Sequence, residues 1–264
     1  MNATNETTPA TAPPMREDLR LAGVLALAAA LATALLFPYL QLVMPEALAK
    51  VPLPLPVVIL LQSGQAAVLL GLLSFCGLRM GHAIGLGAPW LRALLARAPR
   101  QPQPWPLAVA CGLAVSFAII NLDSLFAAHM PAPLHPLPAA GGAHALAGFL
   151  ASFYGGIAEE IQLRLFFVTL LAWGLSRLSG GRALAWQLIA AVVLAAIAFG
   201  AGHLPAAAQL WPLDTVVVSR TLLLNGLAGL VFGWFYVRHG LESAMLSHFA
   251  ADLVLHVFAP LAAG

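Results

Sequence analysis

Apolar stretches of about 20 residues follow one another along nearly the whole chain, and a stretch of that length crosses ~30 Å of hydrocarbon as a helix. Seven stand out, at 20–43, 57–78, 106–130, 144–178, 183–204, 215–237 and 241–261. Within lipid, every backbone group must find its partner inside its own segment, so helices are the expected element. The two-residue alternation of a membrane barrel is absent. A mean hydropathy of +0.91, with 61 % of the 264 residues hydrophobic and 8 % charged, excludes an ordinary soluble domain. The sequence therefore predicts an all-α, polytopic membrane bundle of about seven spans. The stretch 144–178 is too long for one simple crossing, since 35 residues rise about 52 Å as a helix. The fourth span is thus expected to be long or broken, with Gly155-Gly156 marking the break and the first part interfacial or re-entrant.

Charge sets the orientation. With the N-terminus in the cytoplasm, Arg16, Arg20, Arg79, Arg92, Arg97, Arg100, Arg177, Arg182 and Arg238 all fall on the inner side, and only Lys50 falls in an outer loop. That asymmetry follows the positive-inside rule. The net charge of +2 thus reports topology, and no basic patch interleaved with aromatics points to nucleic acid. Eleven Arg against one Lys, with abundant Ala and Leu, suit a GC-rich bacterial genome and a bacterial cytoplasmic membrane. Residues 1–15 read as a disordered tail, and 16–264 as a single transmembrane domain. The segment 89–97, in the inner loop, is expected to form a short basic amphipathic helix resting on anionic headgroups. Cys76 and Cys111 lie singly in apolar spans and read as buried free thiols.

Ionisable residues inside the spans are the exception that needs a reason, because each costs roughly 2.5–3.5 kcal/mol at the bilayer centre even on a lenient scale. Three groups stand out: Glu159-Glu160 with Arg164, Phe199 with His203, and His248 with Asp252. Glu160 and Arg164 are four apart and share a helix face, so an intrahelical ion pair is expected. Glu159, about 100° round the helix, is then free to point into the bundle. Counted from Arg177 and Arg182, Glu159 and His203 stand at roughly 27 and 31 Å, similar heights on neighbouring antiparallel helices. Counted from Arg238, His248 reaches only about 15 Å, so tilt, or a span beginning below the headgroups, must close the gap.

The three motifs, Glu159-Glu160-Ile161-Gln162-Leu163-Arg164, Phe199-Gly200-Ala201-Gly202-His203 and His248-Phe249-Ala250-Ala251-Asp252, resemble the signature of the CPBP family of intramembrane proteases, also called the CAAX-protease/Abi family. The likeness covers about residues 145–258; the first three spans share only hydrophobicity with it. Two departures flank Arg164, where Leu163 and Leu165 replace the family's frequent Phe and Gly, and Asp252 stands where the prenyl-protein endoproteases have Asn. The resemblance implies hydrolysis of a peptide bond in a membrane-associated protein or peptide, with Glu159 and His203 activating water. His248 and Asp252 would then stabilise the oxyanion, supported by Glu160, Arg164 and Phe199. An ionised Asp cannot donate a hydrogen bond, so Asp252 must be protonated or must orient His248 by accepting its ring proton; the second is expected.

No cofactor is favoured. A divalent metal such as zinc on Glu159, His203 and His248 is the alternative, since two His and a carboxylate form a known catalytic zinc set. A transporter would also need intramembrane carboxylates and His, but internal repeats are missing. An inert scaffold would have no need of the three motifs together. Asp123 has no motif partner and is expected to pair with Arg220 or a polar neighbour. His82, His129, His135, His144, His239 and His256 read as loop or interfacial residues without grouping.

Overall fold

The computed structural model describes residues 14–137 and 139–264. The tail expected over residues 1–15 lies outside the described residues up to position 13, and Met15 already opens the first helix. Among the described residues, seven helices are long and apolar enough to cross a membrane: Met15–Val43, Leu55–Gly81, Trp105–Ala127, Gly142–Ser179, Ala185–Leu210, Thr215–His239 and Leu241–Ala263. They are called the first to seventh spans. Their starts follow local chemistry. Pro56 and Pro106 occupy first turns, where the missing N–H has no helical partner to lose. Asp214 caps the sixth span, its Oδ1 accepting from the Val217 N–H at 2.8 Å. Gly240 turns the chain between the last two spans with φ of +95°, a conformation that favours glycine.

Burial follows the pattern of a protein whose surface meets lipid. Leu60 and Val68 are 72 % and 76 % exposed, whereas Glu160 and Arg164 are 0 % and 1 % exposed. The apolar side chains face outward and the charges face in, as expected of functional groups in a bundle. The fourth span packs against the first, second, fifth, sixth and seventh. Small residues bring these helices into backbone contact, as is common in membranes. A Cβ at Gly112 would collide with the Ser247 carbonyl oxygen, and one at Gly148 with that of His256. Gly112 thereby seats the third span, and Gly148 the fourth, on the seventh.

The fourth span is long and bent. It passes from α-helix (Gly142–Phe153) through two π-helical stretches, Tyr154–Glu159 and Ile161–Val168, back to α-helix at Thr169–Ser176. At Gly155-Gly156 the backbone stays helical and widens. Such wide turns are uncommon and are often found at functional sites.

The loop expected on the inner side packs closely on the bundle. A helix forms at Pro89–Leu95, but its Arg92 turns onto protein. Arg92 Nη2 reaches Asp18 at 2.5 Å, joined by Arg79 and His82, each 3.0 Å from the same carboxylate. Asp18 is completely buried, and a buried charge requires partners. That requirement commits Arg92 to Asp18. The loop also covers the start of the seventh span: Glu242 Oε1 accepts from the Leu91 N–H at 2.7 Å, and Leu241 donates to the Gly87 carbonyl at 3.0 Å.

Asp18→Ala should therefore lower stability by about 3 kcal/mol, the scale for removing one partner of a buried charge cluster. Arg79→Ala, at a side chain 35 % exposed, should cost about 1 kcal/mol. Reversible unfolding in mixed micelles measures both; equal losses would contradict this ranking.

Candidate active site

Arg164 is the anchor of the site. It is fully buried, its guanidinium lies 4.8 Å from the centroid of Phe199 and 5.4 Å from that of Phe232, and Nη2 donates to the Gly229 carbonyl at 3.2 Å. Nη1 stands 2.9 Å from Glu160 Oε1, off the line of a good hydrogen bond, so the attraction there is chiefly Coulombic. Aromatic faces and a countercharge together offset the desolvation of the guanidinium.

Glu160 has a second partner. The same Oε1 accepts from His248 Nδ1 at 2.8 Å. His248 is also stacked on Phe232, with centroids 4.3 Å apart and planes at 18°, and meets the edge of Phe199 at 5.7 Å. This differs from the expectation that Asp252 takes the ring proton. The stacking plane aims Nδ1 at the fourth span, while Asp252 Oδ1 lies on the other side of the ring, 3.6 Å from Nε2 and beyond hydrogen-bond range.

His203 is oriented by the end of its own helix. Where the fifth span tightens before Pro205, the His203 N–H bonds the Gly200 carbonyl, and the Phe199 carbonyl instead accepts from the ring Nδ1 at 2.8 Å. A neutral imidazole that donates from Nδ1 carries its lone pair on Nε2. That nitrogen faces Glu159.

Glu159 stands between the two imidazoles. Oε1 is 3.9 Å from His203 Nε2, and Oε2 is 3.8 Å from His248 Nε2. Its side chain is 21 % exposed and that of His203 34 %, so the centre opens on this side while Glu160 seals the other. Despite the height shortfall counted for His248, its Nε2 meets Glu159, and Leu241 and Ser243 at the start of its span are already fully buried. Asp252 reaches the same centre because Gly155 leaves room: a Cβ there would collide with Oδ2 and lie 3.0 Å from His248 Nε2. The ionisable residues of the three motifs, with Phe199, thus gather in one place. Asp123 instead forms a two-pronged pair with Arg220, at 2.5 and 3.0 Å. Among the described residues, no group of three or more His, Cys, Asp or Glu side chains has the spacing to hold a metal ion.

Sequence reasoning missed one group. His256 Nε2 lies 4.0 Å from Asp252 Oδ1, and the Tyr39 hydroxyl is 3.4 Å from His256 Nδ1. The Tyr39 ring in turn meets the edges of His144 and His256. The available signal was the spacing of His248, Asp252 and His256, four residues apart in succession on one helix face.

Glu160→Gln leaves Arg164 buried without its countercharge and should cost about 3–5 kcal/mol. The double variant Glu160→Gln, Arg164→Met should recover much of that loss in the same unfolding measurement. A double variant as unstable as the sum of the two single variants would contradict the coupling.

The site falls within a stretch that matches a family model. Residues 141–254 match the family model described as type II CAAX prenyl endopeptidase Rce1-like, which spans all three motifs. A search of curated proteins and one of solved structures return no match. Over residues 141–254 the chain is therefore similar to the type II CAAX prenyl endopeptidase Rce1-like family, in keeping with the CAAX-protease family that its three motifs resemble.

Proposed function

We propose that this protein is an intramembrane endopeptidase that hydrolyses a peptide bond of a membrane-associated protein or peptide, with Glu159 and His203 as the pair that activates water. The observation that carries the proposal is the position of the Glu159 carboxylate, 3.8 and 3.9 Å from imidazole nitrogens on two other spans. Those gaps are too long for direct hydrogen bonds and of the size one bridging water fills. A water held between Glu159 and His203 Nε2 would pass a proton to the carboxylate as its oxygen attacks the scissile carbonyl carbon. Glu159 would return that proton to the departing amide nitrogen.

The negative charge that develops on the carbonyl oxygen needs a positioned donor in a site with little water. His248 suits this task. Its Nδ1 donates to Glu160, leaving Nε2 to point at the reacting centre. An imidazole that donates from both nitrogens carries a positive charge, and Glu159, Glu160 and Asp252 supply countercharge around it. Glu160, fixed by Arg164, thus holds the ring from behind while Asp252 flanks the donor nitrogen.

Location follows from the arginines. Nine of them are joined by connectivity to one end of the bundle, so we place that end, with the N-terminus, in the cytoplasm, and the protein in a bacterial cytoplasmic membrane. The substrates proposed are membrane-associated precursors or C-terminal membrane anchors, cut near the bilayer surface.

Glu159→Gln should accumulate in membranes at the wild-type level and lose cleavage by at least about 100-fold, the lower end of what general base catalysis contributes. Mass spectrometry of membrane peptides from cells carrying each form identifies the substrate and the cut together. Undiminished cleavage by the variant would refute the assignment. Loss of wild-type cleavage with a chelator and its return with zinc would replace it with the metal-dependent mechanism on Glu159, His203 and His248.

A further inference from the structure

We propose that His256, with Tyr39, is a positioning residue of the site, holding the Asp252 carboxylate against His248; this rests on the hydrolase reading above. His256 lies two residues beyond the family match, so nothing in the motifs assigns it a task. Asp252 is 9 % exposed, and a buried carboxylate needs hydrogen-bond donors or countercharge on each side. Its Oδ2 rests against Gly155, and its Oδ1 is flanked by two imidazole nitrogens, His248 Nε2 at 3.6 Å and His256 Nε2 at 4.0 Å.

The second imidazole has a defined orientation. Tyr39, on the first span, places its hydroxyl 3.4 Å from His256 Nδ1 and wedges its ring between His144 and His256 at centroid separations of 5.6 and 5.5 Å. With the phenol donating to Nδ1, the ring proton sits on Nε2 and faces Asp252 across 4.0 Å, a gap that one bridging water spans. The backbone below is held as firmly, because Gly148 of the fourth span abuts the His256 carbonyl. Tyr39, His256, Asp252 and His248 thus form one polar line, its last three members spread over about two turns of the seventh span. It begins on the first span, which contributes none of the three motifs. With His256 removed, the carboxylate would lose its outer flank and swing from His248, misplacing the proposed oxyanion donor.

The test compares wild type with His256→Ala, His256→Gln, Tyr39→Phe and Glu159→Gln, purified in nanodiscs. Two readouts are taken: ring ¹⁵N resonances of His248 and His203, and turnover of an internally quenched membrane-anchored peptide carrying the cut that the mass spectrometry above identifies. His256→Ala should shift the His248 Nε2 resonance and leave His203 in place, and should lower kcat roughly 10-fold at nearly constant KM, the scale for losing an orienting partner. His256→Gln, whose amide still offers a donor, should restore both toward wild type, and Tyr39→Phe should fall between. An unshifted His248 in His256→Ala overturns the inference, as does failure of Gln to restore it. If Glu159→Gln keeps full turnover, or the wild type leaves this peptide uncut, the hydrolase reading is not supported with this probe, and the resonances alone decide the positioning role.

Discussion

A carboxylate and a guanidinium buried together, Glu160 and Arg164, are the constraint from which the rest of the site follows. Neither is stable alone in a low-dielectric interior, and pairing alone seldom repays the desolvation. Here the guanidinium is also enclosed by two aromatic faces and a backbone carbonyl, and the carboxylate also takes the His248 ring. One oxygen atom, Glu160 Oε1, thereby ties the fourth span to the seventh. With Phe199 and Phe232 in the same contact, it draws the fifth and sixth spans in as well. The pair does little chemistry in this scheme. Its work is to make the rotation and height of four helices mutually dependent, so that Glu159, one residue away, has a single place to go.

Helix contacts at small residues complete that alignment. Lipid supplies no hydrophobic drive between helices, so close backbone approach and a few polar contacts decide how they meet. Gly112, Gly148 and Gly155 stand where a Cβ would strike the seventh span. The same span is held at its start by Glu242 and Leu241 against the 82–95 segment. That segment is in turn held to the first span through Arg92 and Asp18. The seventh span, which brings His248, Asp252 and His256, is thus fixed at both its start and its middle, as a positioned catalytic group requires.

Much of this was legible in the sequence. The seven spans follow from length and hydropathy, and the i, i+4 spacing of Glu160 and Arg164 anticipates their ion pair. Three ionisable motifs inside apolar segments mark the site because charge in a span needs a reason. Contacts between spans were less visible. Which carboxylate takes His248 depends on the rotation of each helix about its axis, and no local signal encodes it. The π-helical turns at Tyr154–Glu159 and Ile161–Val168 alter that rotation further; Gly155-Gly156 marks an irregularity there but not its π-helical form. A count of residues from Arg238 does not anticipate the 3.8 Å approach of His248 to Glu159, because it carries no information on how the seventh span packs. His256 was passed over because its partner Tyr39 is 217 positions away.

The convergence of Glu159 with two imidazoles is the claim that everything functional depends on. Dipolar recoupling NMR in bilayers, on protein with ¹³C-carboxyl Glu and ¹⁵N-ring His, reads it directly, with the Glu159 signal identified by its loss in Glu159→Gln. The account predicts strong dephasing of the Glu159 carboxyl by ring nitrogens, reduced in steps by removing His203 and then His248. A Glu159 carboxyl that shows no dephasing from either ring would contradict it.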